Sequence, residues 1–522
     1  MMNVSYNEGG GMKVGGNAQK ILILEELCKL TQALKNKGNT IVHCHGVFDL
    51  LHPGHIKHFE AAKQEGDILV ITITKDKYVE KGPGRPVFNE QLRAESIAAL
   101  QSVDYVAINE WPTGVETIKM LKPDVYVKGS DYINREDDLT GKIYEEEEAV
   151  KSVGGRIHFT DEISFSSTKL LNEHFSVFSQ EAKTFLQRFS RHYSSSDIIN
   201  QMKELTQIKV LLIGDTIIDE YHYCKAIGKS TKDTNIVAKY VSAELFAGGI
   251  LAAANHIAGF CKDVHLVTCL GPEKNIEEFI KTHLKPNIQL KCFYRKDGPT
   301  VIKRRFVDPD FLIKMFEINL LNDSDLSSET SRKICAYLKE IVSQYDLTIV
   351  ADYGHGFIGE DIRNLLCQEA KYLAVNTQTN SANIGFNLIT KYPKADYICI
   401  DEPEIRFATH DKLSSVETLI EKISNVLQCS FMTVTLGHRG SIVYHKEKGY
   451  FNTPVFSSKI VDRTGAGDAF LSITSPCVRM GFPPELVGFI GNAVGALAVQ
   501  IVCNRSSVEP SQLFKFIKTL LT

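Results

Sequence analysis

The chain has 522 residues, of which 43% are hydrophobic and 23% charged. That length accommodates about three domains, or two large ones, and the composition excludes wholesale disorder, collagen and coiled coil. With 59 Lys plus Arg against 63 Asp plus Glu, a formal charge of -4, there is no electrostatic footprint for duplex nucleic acid or an anionic membrane, and neither is expected as a partner.

Residues 1–19 are polar and Gly-rich and lack the apolar segment of a signal peptide. Lys20 to Lys37 is amphipathic and stops at Gly38, so a flexible tail and a leading helix are assigned to 1–38. Strand-like and helix-like segments then alternate. A short apolar run starts at Asn39, then come a helix over Pro53–Glu65, a strand over Ile68–Thr74, a helix over Asn89–Leu100 and a strand over Tyr105–Ile108. Val115–Leu121 follows as helix, Val125–Lys128 as strand and Glu145–Ser152 as helix. Such alternation predicts a parallel sheet with helices on both faces, and this domain is placed at 39–174.

Residues 175–207 are rich in Ser, Gln and Lys, carry the run Ser194-Ser195-Ser196, and read as a helical linker. A second α/β alternation fills 208–522. It starts at Lys209-Val-Leu-Leu-Ile-Gly-Asp and continues through strand-like runs at Val264, Leu347, Tyr372, Tyr397 and Phe431. Most of these runs end in Asp, Asn, Gly or Thr, at the strand ends that hold ligands in open α/β sheets. Leu486–Cys503 is apolar but broken by Asn492, Gln500 and its glycines, and reads as a packed helix rather than a membrane span. Twelve cysteines without a CxxC spacing read as free thiols of a reducing cytoplasm, where the protein is expected.

The first chemical constellation is His43-Cys-His-Gly-Val-Phe-Asp-Leu-Leu-His-Pro-Gly-His55. A strand ends, Gly46 turns the chain, and Pro53 opens a helix. His52 and His55 are three apart at a helix N-terminus, which itself attracts phosphate. Two imidazoles beside backbone N–H groups suit charge developing on a transferring phosphoryl group.

This string resembles the HxGH motif of the nucleotidyltransferase superfamily, and more closely its cytidylyltransferase-like branch. Arg85-Pro-Val after Gly84, Arg93, Val127-Lys-Gly-Ser-Asp-Tyr132 and Ser164-Phe-Ser-Ser-Thr-Lys169 extend the likeness over Thr40 to Asn172. The resemblance implies a Rossmann-like domain. It makes His52 and His55 the phosphate-contacting catalytic pair and Lys128 and Arg93 charge neutralisers. Gly46 and Phe48 would sit at the nucleotide, and Ser167 and Thr168 would bind the β/γ phosphates. Asp49 is left between a bond to turn amides and a ligand contact.

The second constellation is Asp462-Arg-Thr-Gly-Ala-Gly-Asp-Ala-Phe470. Gly465, Ala466 and Gly467 can present backbone N–H groups at a helix N-terminus as an anion hole. Asp468, in the first turn, can take a proton from an attacking hydroxyl. The string resembles the signature of the ribokinase-like (PfkB) sugar kinases, and the likeness covers about Ile208 to Thr522. It implies substrate contacts from Asp219, Gly248, Gly249, Asn255, Lys303, Arg305 and Asp352. It implies a nucleotide side at Thr435, Gly437 and Gly440, and Glu404 near metal and phosphates. A small β lid is expected at about Tyr221–Leu245. Two departures stand out: Ala252 occupies the usual place of the sugar-loop Asn, with Asn255 displaced by three, and Asn376-Thr-Gln-Thr-Asn-Ser follows the middle strand.

A sugar kinase fused to a nucleotidyltransferase implies consecutive steps. The pairing resembles the bifunctional heptose-phosphate kinase/heptose 1-phosphate adenylyltransferases, with the domain order reversed. It implies ATP as donor, with CTP as the alternative, a sugar or sugar phosphate as acceptor, and Mg²⁺ brought by the nucleotide. A homo-oligomer through the lid is also implied. Two other readings stay open: a CTP-dependent enzyme for another polyol or sugar phosphate, and one live domain beside a sugar-binding sensor or scaffold. The acidic run Glu145–Glu148 is read as a solvated helix face.

Overall fold

The structure, a computed structural model, describes residues 20–79, 81–83, 85–129, 142–160, 178–457 and 459–522. It divides into two compact units that part between Val177 and Phe178. Among the described residues no helix is long and apolar enough to cross a membrane, and all twelve cysteines are free.

The first unit is a five-stranded parallel sheet. Its strands are β1 (Ile41–Gly46), β2 (Ile68–Thr74), β3 (Tyr105–Asn109), β4 (Val125–Gly129) and β5 (Arg156–Thr160), in the order β3-β2-β1-β4-β5. β1 and β2 are buried along almost their whole length, as strands covered on both faces require. The strand order reverses between β1 and β4, and a crevice opens beyond the carboxyl ends of strands at such a switch. The predicted helices appear at Leu24–Lys35, Pro53–Gln64, Glu90–Ala98, Val115–Leu121 and Lys142–Ser152. The sequence reading omitted β5, a largely half-exposed strand whose Arg-Ile-His-Phe-Thr gives little apolar signal.

The second unit opens with β6 (Lys209–Gly214), β7 (Thr216–Lys229), β8 (Ile236–Gly249), β9 (Asp263–Leu270), β10 (Ile288–Tyr294), β11 (Val301–Val307) and β12 (Lys314–Leu320). It continues with β13 (Leu347–Asp352), β14 (Leu373–Thr377), β15 (Tyr397–Asp401), β16 (Phe431–Thr435), β17 (Ser441–His445) and β18 (Gly449–Thr453). Nine of them form the main sheet, β10-β9-β6-β13-β14-β15-β16-β17-β18, parallel up to β16 and antiparallel after it. The other four form a separate sheet, β12-β11-β7-β8. This is the lid, and it is larger than the hairpin expected at Tyr221–Leu245, because β11 and β12 come from the Lys303–Arg305 segment and its sequel.

The segment expected as a linker, 175–207, behaves differently from Phe178 on. Its helices Gln180–Phe189 and Ser195–Lys203 pack within the second unit, with Phe189 stacked on Phe489 at 4.4 Å. The Ser-rich run is a cap: Ser194 Oγ accepts from Asp197 N at 3.1 Å. Pro484–Ala498 is a buried helix, as read from its sequence.

Candidate active sites

In the first unit, β1 ends at Gly46, and the chain turns through Phe48 at φ 50° into the helix that starts at Pro53. The Phe48 ring lies where a Cβ at position 46 would be, so Gly46 makes room for it. Phe48 then packs edge-on against His55 at 5.3 Å. His52 caps the helix: its Nδ1 accepts from His55 N at 3.4 Å. The two imidazoles stack with centroids 3.9 Å apart. Burial, with Lys81 nearby, lowers His52; burial, then His52 and Lys81, pushes His55 down to about 3. Both shifts favour the neutral imidazoles.

Lys128, next to last in β4, is buried, and its ammonium is bound to Glu146 Oε2 at 2.8 Å. Glu146 is also held by Tyr126 Oη at 3.0 Å and by Gly114 N at 3.1 Å. Burial alone would raise Glu146; Lys128 and His45 outweigh it and hold the carboxyl at about 2. The acidic run is thus a solvated face only in part, since Glu146 and Glu147 are buried. Removing one partner of such a buried pair costs about 3–5 kcal/mol, so Lys128 and Glu146 hold each other in place.

Arg93 is buried and spends its donors inside the protein, on Phe88 O at 3.0 Å, Val47 O at 2.5 Å, Thr74 O at 2.8 Å and Asp76 Oδ1 at 2.5 Å. It braces the loops around the motif, which replaces the expected role as a phosphate neutraliser. Asp49 is structural too: Oδ1 accepts from Val87 N at 2.7 Å and Phe88 N at 3.2 Å. Ser167 and Thr168 lie outside the described residues.

In the second unit, the lid strands and the helix Ala466–Arg479 bring Asp219, Gly248, Lys303, Arg305 and Asp468 to one place. Asp219 sits on β7 and is bound by the Arg305 guanidinium of β11. A Cβ at Gly248 would strike Asp219 Oδ2, so the glycine is needed for this approach. Gly249, at φ 54°, caps the helix Ile250–Ala258. Lys303 is buried, and that burial lowers it against the pull of Asp219. Asn504 Nδ2 reaches Asp219 Oδ2 at 3.5 Å.

Asp468 lies in the first turn of the helix Ala466–Arg479, with Gly465 at φ 82° as its cap. Burial, then Asp219, raises its carboxyl to about 6, while Tyr353 and Lys303 act the other way. A base poised there is near optimal for proton transfer at neutral pH. Ala466 N closes the turn on Arg463 O at 3.3 Å, which leaves Gly465 and Gly467 of the predicted trio as candidate anion donors.

Tyr353 donates its hydroxyl to Asp468 Oδ1 at 2.7 Å. The loop that carries it is braced by Asn380 and Asn383, each donating to Tyr353 O at 2.8 Å, and by Asn387 on Asp352 O at 2.7 Å. The unusual segment after β14 thus braces the loop whose Tyr353 bonds Asp468. Because the Tyr353 bond favours the carboxylate, Tyr353→Phe is expected to move the acid limb of the kinase rate profile to higher pH. Measuring kcat against pH checks this; an unmoved limb refutes it.

Three predicted residues are bonded within the protein. Asn255 is tied to the far end of the helix Lys274–His283: Nδ2 donates to His283 O at 2.9 Å, and Oδ1 accepts from Lys285 N at 3.0 Å. Asp352 is saturated by Lys391 at 2.6 Å, Tyr392 Oη at 2.7 Å and Gly354 N at 3.1 Å, so it anchors the loop rather than a sugar. Glu404 forms a capping box with Asp401 and accepts from Thr379 N at 3.0 Å; burial and Asp401 push it up to about 8. Both of its oxygens thus accept backbone N–H bonds, from Thr379 and Asp401, and among the described residues no three His, Cys, Asp or Glu are grouped to hold an ion. Thr435 ends β16, and Gly437 and Gly440, both at positive φ, shape the next turn. The sequence reading singled out the segment holding Asn380 and the run holding Glu146, but the partners of these residues, of Tyr353 and of Asn504 became visible only through contacts.

The pfkB family carbohydrate kinase model matches residues 207–509, and the cytidylyltransferase-like model matches 43–201. Among curated relatives, the bifunctional protein HldE of Aliarcobacter butzleri is 44% identical over 154 residues, 29% of this chain and 32% of that protein. The bifunctional protein HldE of Gluconobacter oxydans is 40% identical over 150 residues, 28% of this chain and 30% of that protein. These stretches lie in the N-terminal part of the chain and span under a third of the relatives' length. Escherichia coli phosphofructokinase-2, solved with substrates and products, superposes with TM-score 0.50 at 12% identity, over 60% of this chain and 99% of that one. That likeness shows the fold of the second unit. By its match over more than half of its length, the chain belongs to the pfkB family of carbohydrate kinases and carries a cytidylyltransferase-like unit ahead of the kinase.

Proposed function

We propose that the chain activates one class of sugar in two steps. The second unit phosphorylates a heptose-like sugar or sugar phosphate with ATP. The first unit transfers a nucleotidyl group to a sugar 1-phosphate, giving an NDP-sugar of the ADP-heptose type and pyrophosphate. The observation that carries the reading is a pair of candidate centres on one chain: His52 stacked on His55 at a helix N-terminus, and buried Asp468 beside a glycine turn. Relatives named as bifunctional match the first unit.

In the kinase step the acceptor oxygen bonds to the γ-phosphorus, the bond to the bridging oxygen breaks, ADP leaves with its electrons, and Asp468 takes the hydroxyl proton. In the transferase step a sugar-phosphate oxygen attacks the α-phosphorus and pyrophosphate leaves, with His52 and His55 donating to the developing charge. Magnesium entering on the nucleotide would neutralise phosphate charge. Nucleoside triphosphates as substrates and free thiols fit a cytoplasmic enzyme.

The test is a pyrophosphate-release assay with ATP, CTP, GTP and UTP against a panel of sugar 1-phosphates, beside a kinase assay on the matching sugars and their phosphates. Release with ATP and a heptose 1-phosphate supports the reading. Release only with CTP moves the enzyme to another glycan. Silence of the kinase with every acceptor favours a sensor or scaffold, to which the diverted Asn255 already points.

The lid supports a homo-oligomer. Its outer face carries Leu245, Tyr240, Phe316 and Ile318, 45% to 58% exposed, with Phe316 stacked on Phe306 at 4.4 Å. These side chains flank the Glu220–Arg304 ion pair, and exposed apolar surface of this kind marks an interface. Phe316→Asp with Ile318→Asp is expected to convert the oligomer to monomers in sedimentation; a parent that is itself monomeric at micromolar concentration refutes the interface.

A further inference from the structure

We propose that Lys314 is a positioning residue of the kinase reaction: its ammonium ties the lid sheet to the glycine turn that receives the transferred phosphate, and so sets the Gly465 and Gly467 N–H groups. The proposal rests on the kinase reading of the second unit.

Strand register places the residue. Lys303 pairs with Asp219 and Arg305 with Tyr221 across β11 and β7, while Arg305 pairs with Glu317 across β11 and β12. Side chains alternate between faces, so these five share one face. Lys314, three residues before Glu317, would point to the other face. A register shift at Phe306/Val307 pairs Val307 with Lys314 instead and returns it to this one. Bulges commonly re-aim a side chain beside an active site.

There the ammonium bonds Asp462 Oδ1 at 2.8 Å and Thr464 Oγ1 at 2.5 Å, over the Tyr221 ring at 5.5 Å. Asp462 is buried and saturated. Oδ1 also accepts from Thr464 N at 3.0 Å, and Oδ2 accepts from Tyr221 Oη at 2.7 Å and Cys503 N at 3.1 Å. Burial alone would raise its carboxyl; Lys314 and the other donors hold it at about 2. Two lid strands therefore converge on one carboxylate, β7 through Tyr221 and β12 through Lys314. Thr464 directly precedes Gly465, the left-handed cap of the helix that carries Asp468. Lys314 supplies the one ion pair recorded for Asp462 among the described residues. Without it, Thr464 loses a partner and the turn loses its register to the lid that holds Asp219 and Arg305.

The test compares Lys314→Met, Lys314→Arg and Lys314→Ala in the full-length chain, with kcat and KM for ATP and acceptor measured separately. Lys314→Met is expected to lower kcat about 10- to 100-fold and to leave the acceptor KM within about threefold, as a misplaced anion hole would. Added ethylammonium is expected to restore kcat of Lys314→Ala saturably, while tetramethylammonium, which has no N–H, restores none. Lys314→Arg is expected to keep the parent's melting temperature and part of its kcat. A Lys314→Met kcat within about twofold of the parent overturns the proposal. So does a loss in Lys314→Ala that ethylammonium leaves untouched at an unchanged melting temperature. If the parent phosphorylates no acceptor, the kinase reading falls by itself. The tie is then read from calorimetric affinity for a non-hydrolysable ATP analogue, which Lys314→Ala must weaken and ethylammonium restore; unchanged affinity overturns it.

Discussion

Asp468→Asn is expected to lower phosphoryl transfer by about 10²–10⁴-fold while pyrophosphate release by the first unit stays at the parent level. The amide keeps an oxygen that can accept from Tyr353, so the geometry of the turn survives and the loss reports the base itself. The same substitution has a stability signature. The folded carboxyl titrates at about 6 against about 3.9 in an unfolded chain. A raised pKa favours the folded state fully below the unfolded value, and that contribution is lost as pH rises through 6. The parent therefore gives up on the order of 2–3 kcal/mol between pH 4 and pH 7 that the asparagine variant does not. Asp468→Asn should melt higher than the parent at pH 8 and no higher at pH 4. Parallel loss of both activities, or a melting temperature that drops at pH 8, would show that the residue serves the fold.

Much of the fold was legible in the sequence, because apolar runs covered on both faces announce parallel strands and glycine turns announce helix starts. Two strings were long enough to identify their chemistry, His52-Pro-Gly-His55 and Gly465-Ala-Gly-Asp468. What failed to show was the partnership of charges. Arg93 and Lys128 are both cations next to the first motif, and their sequence context treats them alike. In the folded chain Arg93 is consumed by three carbonyls and Asp76, whereas Lys128 faces Glu146 across helix Lys142–Ser152. Glu146 itself looked like one of four interchangeable glutamates. Helical spacing turns it and Glu147 inward while Glu145 and Glu148 stay exposed.

The lid shows the same limit at the level of a sheet. Its hairpin β7–β8 is local in sequence, but β11 lies parallel to β7 after the chain leaves the lid at Gly249 and returns at Val301. Nothing in the Lys303–Arg305 segment names Asp219 as its neighbour. Asn255 failed for a related reason. Its displacement was visible, but its destination on His283 O and Lys285 N lies across a helix boundary that composition does not reveal.

His55→Ala is expected to lower nucleotidyl transfer by about 10²–10³-fold, the cost of one preorganised donor lost from a developing charge, and to leave the kinase unchanged. Burial pushes His55 down to about 3, and the pair with His52 adds to that. Before the nucleotide binds, the site therefore offers neutral N–H groups rather than two full charges. A triphosphate reverses the sign of the local field, and protonation of the stacked pair becomes favourable only in its presence. Nucleotide binding should thus take up protons, and calorimetry in buffers of different ionisation enthalpy reads that uptake directly. In His55→Ala the uptake should shrink along with the rate. A variant that binds with undiminished proton uptake yet transfers at the parent rate would remove His55 from the reaction and leave it as a packing partner of Phe48.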